Sequence, residues 1–139
     1  MPTNAELARQ LFDAFERADT EAVRALCAPG CQFSQNGAEP NSMDGLLAFS
    51  GSIARAVPDQ HYDHIVTSET ADGFVEEHHF AGTLADGTAI RIPACVVATV
   101  VDGRITSLRE YLDSRAATKL TAALQAPRSP WPSITGADR

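Results

Sequence analysis

Basic charge is in short supply here: 11 lysines and arginines stand against 18 aspartates and glutamates, a net charge of −7. That balance argues against nucleic acid, whose phosphates need a basic surface, and equally against anionic membranes. Long apolar runs are missing too. No stretch is long enough to span a bilayer, and Met1-Pro2-Thr3-Asn4 does not open a signal peptide, so the cytoplasm is the default location. Cysteine is scarce. Cys27, Cys31 and Cys95 are too few, and odd in number, for a disulfide framework. Cys27 and Cys31 flank Ala-Pro-Gly at a helix-to-strand corner and read as buried, inert thiols. There is no glycine-rich phosphate loop, no internal repeat and no linker. What remains is a chain of 139 residues, 44% hydrophobic and 21% charged, which is ordinary for one globular domain with its own core.

The first half has helical periodicity. Thr3-Asn4-Ala5-Glu6 has the form of a capping box, and Leu7, Leu11, Phe12 and Phe15 then recur along one face of a helix over residues 4–17. Asp19-Thr20 opens a second helix carrying Val23, Leu26 and Cys27, which Pro29-Gly30 ends. A short alternating segment, Gln32 to Gln35, leads to a turn at Asn36-Gly37. A third helix carries Leu46, Leu47, Phe49, Ile53 and Val57. After Asp59 the period becomes two. Asp72-Gly73, Asp86-Gly87 and Asp102-Gly103 separate strand-like runs at 61–69, 74–84, 89–101 and 104–112, because Asp-Gly tolerates the positive φ of a tight hairpin. A last helix is expected from Asp113 to about Leu124, followed by a Pro-rich tail at 127–139 that holds Trp131. The expected fold is α+β: N-terminal helices packed on the concave face of a curved, cone-shaped antiparallel sheet, with a single domain over 1–126. The mouth of such a cone suits a small apolar ligand.

Alternation along the last strand puts Leu108, Glu110 and Leu112 on one face and Arg109, Tyr111 and Asp113 on the other. A carboxylate between two leucines facing a core is costly unless hydrogen-bonded, and its pKa rises. Glu110 is therefore the candidate for chemistry. In Glu76-Glu77-His78-His79 alternation means that both histidines cannot point at one site; which of them turns inward stays open. His61-Tyr62-Asp63-His64 invites a metal reading. On a regular strand its two histidines point opposite ways, and no helix carries a His pair at i, i+4, so no metal is expected.

The helical first half, followed by Asp86-Gly87-Thr88-Ala89-Ile90-Arg91-Ile92-Pro93 and by Asp102-Gly103-Arg104-Ile105 with Arg109-Glu110-Tyr111-Leu112-Asp113, resembles the nuclear transport factor 2-like superfamily. Within it the chain is most similar to the SnoaL-like group. That group includes polyketide cyclases and is related to limonene-epoxide hydrolases and ketosteroid isomerases. The resemblance spans about residues 4–124. It implies that Glu110 takes the place of an acid/base aspartate in the last strand. It places His79 and Ala81 where the epoxide hydrolases carry an arginine and an aspartate, and Phe33 and Gln35 where they carry a tyrosine and an asparagine. The isomerases' first-helix tyrosine is replaced by Phe12 and Phe15. The resemblance thus implies that Glu77, His79 and Ala81 face the pocket while Glu76 and His78 face outward.

The expected function is general acid/base catalysis, without cofactor or metal, on an apolar or polyketide-like small molecule. Cyclisation, isomerisation, dehydration and hydrolysis all fit. Glu110 would move the proton, with His79 as its partner. Gln35 and Glu77 would contact substrate, and Phe12, Phe33, Ile92, Ala94, Leu108 and Leu112 would form the walls. The alternative is a non-catalytic small-molecule-binding or dimerisation domain of the same fold. The resemblance also implies a homodimer, paired through the sheet face carrying Arg91, Cys95, Val97 and Tyr111.

Overall fold

The computed structural model describes residues 1–125; the tail expected at 127–139, with Trp131, lies outside the described residues. The chain runs α1 (Asn4–Glu16), α2 (Thr20–Leu26), β1 (Cys27–Gln35), α3 (Met43–Ala56), β2 (His61–Thr70), β3 (Gly73–Thr83), β4 (Ala89–Val101), β5 (Arg104–Leu112) and α4 (Thr118–Gln125). It is an α+β fold with one open, mixed sheet in the order β1-β5-β4-β3-β2. The four strands from β2 onward form an antiparallel meander. To the expected antiparallel meander the structure adds β1, which pairs in parallel with β5, Gln35 standing opposite Glu110. This pairing brings residues 75 positions apart in the chain side by side.

Local chemistry sets the element ends. Thr3 caps α1, its hydroxyl accepting from the Glu6 N–H at 3.0 Å while the Glu6 carboxylate accepts from the Thr3 N–H at 2.8 Å. Ser42 caps α3, accepting from the Gly45 N–H at 3.2 Å. Two boundaries differ from those read in the sequence. Pro29-Gly30 lies within β1, whose pairing with β5 is irregular between Cys27 and Gln32, as expected where proline offers no N–H to the ladder. Helix α4 starts at Thr118 rather than Asp113, because the Asp113 carboxylate accepts from the N–H groups of Arg115 and Ala116 at 3.0 and 3.1 Å and holds a turn first.

The Asp-Gly pairs serve different ends. Asp102 and Gly103 both take positive φ, 52° and 77°, as a tight hairpin requires. Gly73 does not; there a Cβ would stand 1.8 Å from the Ala98 carbonyl oxygen, so glycine is needed for close strand approach.

Between α1 and the sheet lies a core built on Leu11, Phe12, Phe74, Val96, Ile105 and Leu108. A second cluster, including Val57, Ile90, Ile92, Ala117 and Leu120, sits under α4. Among the described residues no helix is long and apolar enough to cross a membrane.

Candidate active-site cavity

A cavity of about 380 Å³ opens on the concave side of the sheet, drawing its lining from both clusters. The sheet contributes Phe33, Tyr62, Phe80, Ile92, Ala94 and Leu112. The opposite walls are Phe49 and Ile53 from α3 and Leu120 and Leu124 from α4. Each of those two pairs is spaced by four residues, which places it on one helix face. Most of the lining is apolar. Two polar groups stand out on the sheet side, Glu110 and Gln35.

Glu110 is carried by β5, on the same face as Leu108 and Leu112. The parallel pairing of β1 with β5 sets Gln35 directly opposite, and Gln35 Nε2 donates to Glu110 Oε1 at 2.9 Å. Among the described residues this is the carboxyl's one side-chain hydrogen bond. Burial pushes the Glu110 carboxyl above the usual glutamate range. The Gln35 amide and the nearby His78 imidazole pull it back only in part. A carboxyl whose pKa is raised inside an apolar cavity is suited to exchanging a proton with a bound molecule.

Tyr62 faces the same cavity from β2. Burial pushes its phenol well above the ordinary range, reinforced by the carboxylates of Glu110, Glu76 and Glu16, so it remains a neutral hydrogen-bond donor.

The expected orientation of β3 is corrected. Glu76 and His78 are each only 2% exposed and point into the fold, while Glu77 is exposed and His79 half-buried on the outer face. The β3–β4 register explains it: Glu76, His78 and Phe80 stand opposite Val96, Ala94 and Ile92, and cross-strand partners share a face. His78 Nδ1 lies 2.7 Å from Glu76 Oε2, and Thr67 Oγ1 donates to Glu76 Oε1 at 3.0 Å. The His78 ring packs against Tyr62 and Phe12, with centroids 4.4 and 4.8 Å away. His79 instead meets Arg91, whose Nη1 donates to its Nδ1 at 3.2 Å. His79 and Glu77 therefore do not reach the cavity.

Two expected wall residues are also displaced. Phe12 and Leu108 are buried in the core behind the cavity rather than lining it; Phe12 fills the wedge between α1 and the sheet, edge-on to Tyr62 and Phe74. Phe33, Gln35, Ile92, Ala94, Glu110 and Leu112 do line it. Cys27 and Cys31 are buried away from it, and the Cys31 Sγ lies 3.9 Å from the Gln32 carbonyl oxygen.

Helices closing an apolar cavity over a curved, open sheet define a class of small-molecule-binding α+β domain. The SnoaL-like domain family matches residues 8–108, and the chain belongs to that family. Solved structures agree on the fold. A protein from Jannaschia sp. CCS1, provisionally designated a SnoaL-like polyketide cyclase, is 19% identical, with 90% of this chain and 93% of that one covered and a TM-score of 0.72. One from Pseudomonas putida KT2440, provisionally designated a polyketide cyclase, is 21% identical over 86% of this chain and 98% of that one, with a TM-score of 0.75. PrhC from Penicillium brasilianum NBRC 6234 is 16% identical over 87% of each chain, with a TM-score of 0.75. A search of curated proteins finds no match to this sequence.

Proposed function

We propose that this protein is an enzyme that moves a proton on an apolar, polyketide-like small molecule, using its own side chains as acid and base. The observation that carries this reading is Glu110: a half-buried carboxyl, raised in pKa, anchored through one oxygen by Gln35 on the sheet side of an apolar cavity. Structural neighbours provisionally designated polyketide cyclases support the substrate class. The cavity, about 380 Å³, is more than twice the ~150 Å³ apolar cavity that accepts a benzene ring. It suits a molecule of two or three fused rings.

In this reading Glu110 takes a proton from the bound molecule and returns it at another atom. Gln35 fixes the carboxyl's position. Tyr62 donates to an oxygen on which negative charge gathers. The imidazole acting on Glu110 is His78, from the inner face, in the role first expected of His79. Cyclisation, isomerisation, dehydration and hydrolysis can all use these parts. We further propose a homodimer paired through the β4–β5 part of the outer sheet face, where Tyr111 is exposed and Cys95 and Val97 are half-covered, leaving the β2 edge of that face open.

The test starts with the molecule that copurifies in the cavity, identified by native mass spectrometry. Glu110→Gln keeps shape and removes proton transfer. Turnover should fall about 10²–10⁴-fold, the usual yield of general acid/base catalysis, with binding little changed. Turnover that survives the substitution would show that Glu110 is not the proton carrier. Tight binding without turnover in the wild type would instead identify a carrier domain.

A further inference from the structure

We propose that Asp63, His64 and His79, with His61 beside them, form a binding site for a borderline divalent transition cation such as Zn²⁺, on the sheet face opposite the cavity. The site is independent of the reaction proposed above.

The strand geometry that argues against a metal in the sequence is broken by a bulge. Asp63 stands directly opposite His79 in the β2–β3 ladder, and the register then shifts between Asp63 and Val66. His64 sits in that shift at φ 54°, a left-handed conformation uncommon outside glycine. It therefore turns to the side of Asp63 instead of away from it. One donor atom from each of Asp63, His64 and His79 lies within 4.8 Å of the other two. The His64 ring lies flat against His79, with centroids 4.5 Å apart and planes 17° from parallel.

His61 completes the group. Its Nε2 is 3.7 Å from Asp63 Oδ2, and its Nδ1 is 3.1 Å from the Asp59 carbonyl oxygen. A carbonyl accepts only from a protonated Nδ1, so in the neutral ring the Nε2 lone pair is the one on the Asp63 side, as in metal-binding histidines held by an outer hydrogen bond. Three of the chain's four histidines thus surround one carboxylate. Imidazole nitrogen with one carboxylate oxygen is a donor set for zinc, cobalt, nickel or copper, whereas calcium and magnesium require oxygen.

Arg91 is the built-in competitor. Its guanidinium donates to both Asp63 oxygens and to His79 Nδ1. It supplies the positive charge these groups share when no metal is bound. Its side chain is 47% exposed and can swing out; that of His64 is 65% exposed and can turn its ring. Zinc–nitrogen bonds of about 2.0–2.1 Å then require the donors to close to roughly 3.4 Å of one another.

The probe is Zn²⁺ itself, titrated calorimetrically into the full chain after chelator treatment. One ion per chain is expected. His64→Ala with His79→Ala should weaken binding about tenfold or more, since even outer-shell substitutions cost about that much. Arg91→Gln should tighten it about two- to fivefold, the fold-equivalent of the exposed ion pair the cation displaces. His64→Ala alone, on the exposed bulge, gives the same direction of change if the double variant folds poorly. Absence of binding at millimolar Zn²⁺ would overturn the proposal. So would binding that survives the double substitution, which would place the ion on the cysteines or elsewhere, or binding that Arg91→Gln weakens.

Discussion

His78→Ala and His79→Ala are neighbouring substitutions of the same residue type, and the structure separates their consequences sharply. The His78 side chain is 1% exposed and that of Glu76 2%, with Nδ1 and Oε2 2.7 Å apart, so solvent screening does little to soften the loss of one partner. Removing the imidazole leaves Glu76 buried with only the Thr67 hydroxyl to satisfy it. It also opens a void beside Phe12 and Tyr62. Breaking a buried pair in this way costs about 3–5 kcal/mol, which in a domain of this size lowers Tm by roughly 10–20 °C. His79 sits half-buried on the outer face beside Arg91, and its removal belongs with surface substitutions that stay within about 0.5 kcal/mol. Urea denaturation followed by circular dichroism measures both, the midpoint moving for His78→Ala while the slope holds. Equal losses, or a larger loss for His79→Ala, would refute the assigned orientation of β3.

Glu110→Gln should stabilise the fold, increasingly so as pH rises. The folded-state pKa of Glu110 lies above its unfolded value, so wild-type stability is full below the unfolded pKa of about 4.3 and is lost as pH climbs through the folded one, by at most about 1.4 kcal/mol per pH unit. Glutamine lacks that loss; a gain that is flat with pH, or that reverses, contradicts it. Ala94→Trp should fill the cavity from the sheet side, abolishing the ligand-induced thermal shift at an overpacking cost of about 1–3 kcal/mol. Gly73→Ala, whose Cβ would stand 1.8 Å from the Ala98 carbonyl oxygen, should cost more stability than Gly87→Ala, whose Cβ meets nothing within 4 Å, by thermal melting.

Much of the fold was legible because its signals are local. The capping box at Thr3, the apolar stripe of α1 and the Asp-Gly pairs each act within a few residues, and the meander strands fall close to their expected bounds. The parallel partnership of β1 and β5 was not legible, since no local pattern announces which strand a nine-residue segment will join. The orientation of β3 was recoverable. The turn at Asp86-Gly87 pairs Thr83 with Ala89, and counting back sets His78 opposite Ala94. Ile90, Ile92, Ala94 and Val96 form one apolar row, so their partners had to face inward. The resemblance, which matches His79 to a relative's arginine, points the other way. The His64 bulge lies beyond any parity count, which assumes one residue per step. Phe12 and Leu108 show a further limit: periodicity marks an apolar face as buried, yet does not distinguish a core residue from a cavity wall.

Proton transfer by a carboxyl on the sheet side of an apolar cavity is most directly tested by the ionisation of Glu110 itself. Carbon-13 labelling of the glutamate carboxyls, with Glu110→Gln to assign the resonance, gives its midpoint by NMR titration. The midpoint should lie above the ordinary glutamate value of about 4.3 and move higher still in Gln35→Leu, which removes the amide that pulls it down. A midpoint at or below the ordinary value, unmoved by Gln35→Leu, would contradict the account.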